Sequence, residues 1–336
     1  MMTSTSIRDG EVARPGVERR TVLAGAAAAA VAGTRAQAAA LNDLPIIDAH
    51  IHLFDGTRPQ GASYMGSPAY RAVSKVSLPG QYRQLATPVG IVGAVVVESS
   101  AWVEDNLWYL MVSEPDPIIV GVVGRLDTQK PEFEEYIRRF AKNPLYRGIR
   151  HSRYYREEGG QIVFNPGTVE GMKILADLDL VLDTANPSMG LMRANLKLAQ
   201  AVPNLRIILD HQPSFDPTPD IGPAYQQLIR ELAAHPNVFV KLTAVYHPRA
   251  DGVIVRDYGP IAEELEMLFA LFGEDRVLFG TDYPNSYGVA TIPEAVALMK
   301  RFFSTKSRAA AEKYFWRNSA RVYKWVKRAP NQPTLA

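Results

Sequence analysis

The chain of 336 residues contains no cysteine. Disulfides, thiolate nucleophiles and cysteine-ligated zinc are therefore excluded, and any metal must be held by nitrogen and oxygen donors of residues such as His, Asp or Glu. An excess of charge of one sign is also missing. A formal net charge of +2 supplies no basic field for nucleic acid, so nucleic-acid binding is not expected. Beyond the first forty residues no apolar run is long enough to span a bilayer, and no internal repeat or Pro/Gly-rich linker splits the chain. What is present is a hydrophobic content of 47 %, sufficient to fill the core of an enzyme-sized globule.

The first residues are set aside before fold is considered. Arg19 and Arg20 precede an Ala- and Gly-rich stretch from Val22 to Ala32, and Ala36, Gln37 and Ala38 form an A-x-A cleavage pattern. Residues 1–38 read as a twin-arginine export signal, with Glu18 and Val22 departing from the usual pattern. The alternative is an Ala-rich extension without fixed structure. Export implies contact with the twin-arginine machinery, a mature chain of residues 39–336 in the periplasm, and no membrane anchor after cleavage.

From Pro45 onward short β-branched runs alternate with helical periodicity. Candidate strands are Pro45 to Leu53, Ile91 to Glu98, Ile118 to Leu126, Tyr146 to His151, Leu180 to Ala185, Leu205 to His211, Val238 to Ala244 and Val277 to Tyr283. Helices are expected over Pro131 to Asn143, Val169 to Ala176, Leu191 to Val202, Tyr225 to Ala234 and Ile261 to Phe272. Eight β-then-α units predict a single-domain α/β fold, the (β/α)₈ TIM barrel, whose catalytic groups sit at the C-terminal ends of its strands.

Those ends carry chemistry. His50 and His52 close the first strand, and residues i and i+2 of a strand share a face, so both imidazoles aim at one point. The competing reading is two polar rings on a solvated face, since Ile47, Ala49 and Ile51 between them suit a half-buried strand. Further on come Glu98, Ser99 and Ser100; Arg125; Arg150 and His151; Asp183 and Asn186; Asp210 and His211; Lys241 and Thr243; then Thr281 and Asp282. His235 and His247, each followed by Pro, read as loop residues. The long segment from Phe54 to Ser77 holds Tyr64 and Tyr70, and Tyr154 and Tyr155 follow the fourth strand; such aromatics either contact substrate or pack loops down.

The segments IIDAHIHLFD (46–55), VVGRLD (122–127), RGIRH (147–151), IILDHQPSF (207–215), NVFVKLT (237–243), FGEDRVLFGTDYP (272–284) and NSARVYK (318–324) resemble, in order, the amidohydrolase superfamily. The likeness is to its amidohydrolase-related branch, which includes TIM-barrel lactonases and 2-pyrone-4,6-dicarboxylate hydrolase. It implies that Asp282 is the base that activates water. It also implies that His50, His52 and His211 either bind a divalent cation such as zinc, with Asp282, or polarise the scissile carbonyl directly. Taken alone, Asp282 could equally be a helix N-cap. Strand five ends in Asn186 without the histidine usual in a mononuclear site, so catalysis without metal is compatible with the resemblance.

Arg150 is the candidate for a substrate carboxylate, because its planar fork can hold both oxygens; a structural salt bridge is the alternative. His151, Arg125 and Tyr64 complete the expected substrate contacts, although Arg125 could pair with Asp127 instead. The expected enzyme is a hydrolase opening a lactone or similar activated ester of a small carboxylated or sugar-derived substrate. A zinc-dependent non-oxidative decarboxylase of the same fold and a catalytically silent small-molecule-binding barrel are the alternatives.

Overall fold

The computed structural model describes residue 1 and residues 41–185, 188–211, 222–243, 245–246 and 253–335. Residues 2–38 of the expected export signal, Asn186 and His247 lie outside the described residues. Eight parallel strands form one sheet in chain order: β1 (Ile46–Ile51), β2 (Ile91–Val97), β3 (Ile119–Gly124), β4 (Tyr146–Arg150), β5 (Val181–Thr184), β6 (Arg206–Leu209), β7 (Val238–Leu242) and β8 (Val277–Phe279). A helix follows each: α1 (Pro79–Ala86), α2 (Asp105–Ser113), α3 (Phe133–Phe140), α4 (Thr168–Asp177), α5 (Met189–Ala201), α6 (Gly222–Ala233), α7 (Tyr258–Phe272) and α8 (Ile292–Phe303). This is the expected (β/α)₈ barrel.

The strands are nearly continuous apolar runs because both of their faces are covered. One face meets the helices. The other fills the barrel, where Ile47, Ala49, Val95, Val120, Ile208 and Leu278 pack together with Trp316, Tyr323 and Trp325 from the C-terminal segment. The helices follow their sequence signals. Phe133, Ile137 and Phe140 form the buried stripe of α3, and Thr291 with Glu294 makes a capping box at the start of α8.

Each strand stops one to four residues before the end expected from its apolar run, as β6 does at Leu209 rather than His211. The chain leaves the ladder there, and the polar groups follow immediately. His211 and Asp282 take φ values of 67° and 57°, a left-handed conformation uncommon outside glycine.

Strand β1 departs from simple alternation. Its register against β2 slips between Asp48 and Ile51, so one extra residue is accommodated there. Ile47 and Ala49 therefore face the barrel interior while Ile51 faces the helices, and Asp48 points outward to Tyr82 of α1. Strict alternation would have put Asp48 on the face of His50.

The seam between β1 and β8 is closed by few contacts. Asp282 N donates to His50 O at 2.9 Å, His52 N donates to Tyr283 O at 2.7 Å, and Ile51 bridges Tyr283. Asp48, fully buried, accepts from Thr281 N (2.9 Å), Thr281 Oγ1 (2.6 Å), Tyr82 OH (2.7 Å) and His50 N (3.1 Å). Only glycine fits at 280, where a Cβ would lie 2.5 Å from Thr243 Cγ2 and 2.9 Å from that of His50.

Burial pushes the Asp48 carboxyl up to about 6, against the pull of these hydrogen bonds. Because the folded value exceeds the ordinary 3.8, the native state holds extra proton between the two, and this group's contribution to stability falls as pH rises through that window. Asp48→Ala should lose about 2–4 kcal/mol in urea denaturation, since several buried donors are left without an acceptor. Asp48→Asn should abolish this group's part of the pH slope between about pH 4 and pH 6; an unchanged slope would show that Asp48 does not titrate there.

Candidate active site

At the C-terminal edge of the barrel the seam brings strand-one and strand-eight groups together. His52 Nε2 lies 3.2 Å and His50 Nε2 3.5 Å from Asp282 Oδ1, and the two imidazole Nε2 atoms are 3.2 Å apart. His50 and His52 are both buried, and the Asp282 side chain is 10 % exposed. The reading of the pair as a solvated strand face is thus set aside. Asp282 does not cap a helix either, for α8 is capped by Thr291, and Asp282 Oδ1 instead accepts from Asn285 Nδ2 at 3.1 Å. The second ring nitrogen of His52, Nδ1, meets Val97 O at 2.9 Å. A carbonyl only accepts, so His52 donates there and, when neutral, keeps a lone pair on Nε2.

His211 stands beside this group with its ring 4.8 Å from that of His50 and its Nδ1 2.9 Å from Thr243 Oγ1. Burial lowers the pKa of His211, and burial with the neighbouring Lys241 charge lowers that of His50. Asp282 moves the same way for another reason. Burial alone would raise its carboxyl, but the neighbouring histidines, His211 foremost, hold it well below the ordinary carboxylate range.

Beneath the histidines lies a buried charged cluster. Lys241 Nζ is 2.6 Å from Asp183 Oδ2, 2.9 Å from Asp210 Oδ1 and 3.2 Å from His50 Nδ1. Tyr323 OH donates to both oxygens of Asp183. Burial raises Asp183 to about 7 against the pull of Lys241, whereas the Lys241 charge outweighs burial and holds Asp210 far down. Among the described residues no well-aligned hydrogen bond reaches either oxygen of Asp210.

The wall above is formed by β2 and β4. Arg150 Nε donates to Glu98 Oε1 at 2.9 Å, its Nη2 donates to Glu98 O at 2.7 Å, and its Nη1 is 3.7 Å from Asp210 Oδ2. Burial opposes the Arg150 charge, but Glu98 and Asp210 raise its pKa above the ordinary value. The ion pair of Arg125 is with Glu98, at 3.6 Å, and not with Asp127. Arg150, Arg125, His211, Tyr64 and Asn285 line a cavity of about 340 Å³. Tyr64 donates to Asn285 Oδ1, and burial followed by the Asp282 charge pushes its hydroxyl up to about 12, so it stays a donor.

His151 goes elsewhere. It lines a neighbouring cavity of about 440 Å³ with Trp102, Tyr136 and the shared Arg125, 3.6 Å from Asp127. Tyr154 is fully buried, and Tyr70 binds Val76 O at 2.7 Å, so these two aromatics pack loops rather than face the cavity.

Three of the four expected metal donors share one point: ligand atoms of His50, His52 and Asp282 lie within 4.8 Å of one another. His211 is outside that group. Strand alternation found the histidines, but Glu98, Asp183, Asp210 and Lys241 received no role from sequence alone. The available signal was a single charge in each of the apolar runs LVLDT, IILDH and VFVKL, because a charge in a strand buried on both faces requires a partner.

A barrel that joins a strand-one His-x-His pair to a strand-eight aspartate at this edge defines a TIM-barrel enzyme. Residues 47–325 match the Amidohydrolase family model, and the chain belongs to that family as a hydrolase. It is 28 % identical over 243 residues to an L-fucono-1,5-lactonase of Burkholderia ambifaria, covering 71 % of this chain and 80 % of the relative. An amidohydrolase of Burkholderia multivorans, solved with bound zinc, superposes with a TM-score of 0.69 at 22 % identity over 84 % of this chain and 99 % of its own. A putative 2-pyrone-4,6-dicarboxylic acid hydrolase of Pseudomonas putida does so with a TM-score of 0.65 at 19 % identity, over 84 % and 98 %. The two structures share the fold.

Glu98 holds both arginines of the cavity wall. Glu98→Ala should lose about 3–5 kcal/mol in chemical denaturation, because it leaves Arg150 buried without its main counter-charge; a loss below about 1 kcal/mol would mean that Asp210 alone balances Arg150.

Proposed function

We propose that this hydrolase opens the lactone ring of a small polyhydroxylated or carboxylated acid by attack of water. The observation that carries the reading is Asp282 Oδ1 at 3.2 Å from His52 Nε2, behind a polar cavity walled by Arg150 and His211. The lactonase relative supplies the substrate class.

Asp282, ionised at neutral pH, takes a proton from water as the oxygen attacks the lactone carbonyl carbon. The carbonyl oxygen gains charge and is met by Arg150, His211 and the Tyr64 hydroxyl. The ring C–O bond of the tetrahedral intermediate then breaks, and Asp282 returns the proton to the departing oxygen. The products are an alcohol and a carboxylic acid, which releases its proton to solvent, and Asp282 is regenerated as the carboxylate. An activated ester suits this site, whose electrophiles are histidines and an arginine. Residues 1–38, as a twin-arginine signal, would deliver the enzyme to the periplasm.

A panel of aldonolactones and carboxylated lactones tests the reading. Asp282→Asn should lower kcat about 10²- to 10⁴-fold with the fold intact, and Arg150→Met should raise KM most for carboxylated substrates. If carboxylated aromatics release carbon dioxide while no lactone opens, or if Asp282→Asn keeps full activity, the reading fails. The pH profile has a definite sign. Asp282 is held below its ordinary value, so the base gains no proton as pH falls from about 8 to 6.5. Asp282 should contribute no acid limb to kcat/KM across that interval, and a limb there that Asp183→Asn leaves unchanged would assign the base to another group.

Export is tested separately. Arg19→Lys with Arg20→Lys should retain the protein in the cytoplasmic fraction of a Gram-negative host; unchanged periplasmic recovery would overturn the signal.

A further inference from the structure

The His50 ring stands at a fork. Its Nδ1 faces a donor, Lys241 Nζ at 3.2 Å, and an acceptor, Asp210 Oδ1 at 3.5 Å. Its Nε2 faces two acceptors, the lone pair of His52 Nε2 at 3.2 Å and Asp282 Oδ1 at 3.5 Å. Only one ring nitrogen of a neutral imidazole carries hydrogen, and its neighbours decide which.

Suppose the proton sat on Nδ1 and was given to Asp210, the arrangement in which a carboxylate orients a metal-binding histidine. Three electron-rich atoms would then meet within 3.5 Å with nothing between them. A cation there would relieve the repulsion. So would a proton on His50 Nε2, and Lys241 favours that proton because a charged lysine only donates and its contact with Nδ1 is the shorter one. The Asp210 oxygens, which lack a well-aligned donor among the described residues, agree with a ring that does not give its proton to them.

We propose that Lys241 is a positioning residue that fixes His50 as the Nε2–H tautomer, placing a proton where the His50, His52 and Asp282 set would otherwise hold a divalent cation. As it stands, that donor set does not fit a metal. The inference deepens the lactonase reading by giving its site a proton on His50 aimed at Asp282, and it rests on that reading only for what the proton is used for. Lys241 itself is held by Asp183 and Asp210 beneath the site and is not placed to touch substrate.

Two readouts test it, and neither requires turnover. Long-range proton–nitrogen spectra of histidine-labelled protein, with His50 assigned by comparison with His50→Gln, should show the Nε2–H tautomer at pH 7.5. Equilibrium dialysis against zinc alone should then show weak binding. Replacing Lys241→Met together with Asp183→Asn removes the donor while keeping the cluster's charges matched. In that variant the ring proton should move to Nδ1 and zinc should bind at least tenfold more tightly, whereas Lys241→Arg should retain the wild-type tautomer and weak zinc binding. An Nδ1–H tautomer in the wild-type protein overturns the proposal, as does equal zinc affinity in wild type and double variant. Should the double variant not fold, the wild-type tautomer decides. A chain inactive on every lactone but carrying His50 as Nε2–H would refute the substrate reading and leave this one standing.

Discussion

The geometry of the site depends on how β1 is fastened to β8. Asp48 is a carboxylate without a cation partner among the described residues, enclosed between the barrel and α1, and it binds Thr281, Tyr82 and the backbone of His50 at once. Burying such a group is expensive unless its oxygens are filled, and here each accepts two hydrogen bonds. The result is a fixed distance between two short segments far apart in sequence, His50 to His52 and Thr281 to Tyr283. The rings and the carboxylate that converge above it inherit that distance.

The same seam explains why the interior beneath the site is charged. A barrel core is ordinarily filled by Val, Ile and Leu in layers, as it is here around Ile47, Val95, Val120 and Ile208. One layer higher the filling becomes Lys241, Asp183 and Asp210, all fully buried. Buried ion pairs add little to stability compared with apolar residues of the same volume. Their value here is directional, because they present a donor and an acceptor to one edge of His50 and leave the opposite edge to face Asp282. Glu98 serves Arg150 likewise on the adjoining wall, holding it by side chain and backbone so that the guanidinium stands at the cavity surface.

Much of this was legible in the sequence. All eight strands lie where their β-branched runs place them, and His50, His52, His211 and Asp282 converge as strand-end residues of a barrel should. The parts that were not legible have specific physical causes. The register slip in β1 sends Asp48 outward, and a bulge of one residue leaves no mark on an alternating pattern. The division of Arg150 and His151 between two cavities follows from alternation, but the second cavity is made by Trp102 and Tyr136 from other βα units. His211 misses the three-donor point because its ring is held by Thr243, two residues beyond Lys241, and a contact between strands cannot be read from either strand alone.

Two of the four left-handed non-glycine residues among those described link backbone strain to this arrangement. His211 and Asp282 each follow closely on a strand end, and an L-residue in that region costs about 1–2 kcal/mol relative to its usual conformation. Glycine would remove the strain and also the ring or carboxylate that the turn presents, so the strain belongs to presenting the group. Asp282 is then reached from the outside by a short route: Tyr64 of the long β1α1 segment binds Asn285, which in turn binds the Asp282 carboxylate. The floor of the site is set by the seam, whereas its wall is set by loops, and Asn285 is where the two meet. A substrate that contacts Tyr64 is therefore linked to Asp282 through two side chains, Tyr64 and Asn285, which ties loop sequence to the site without any change in the barrel.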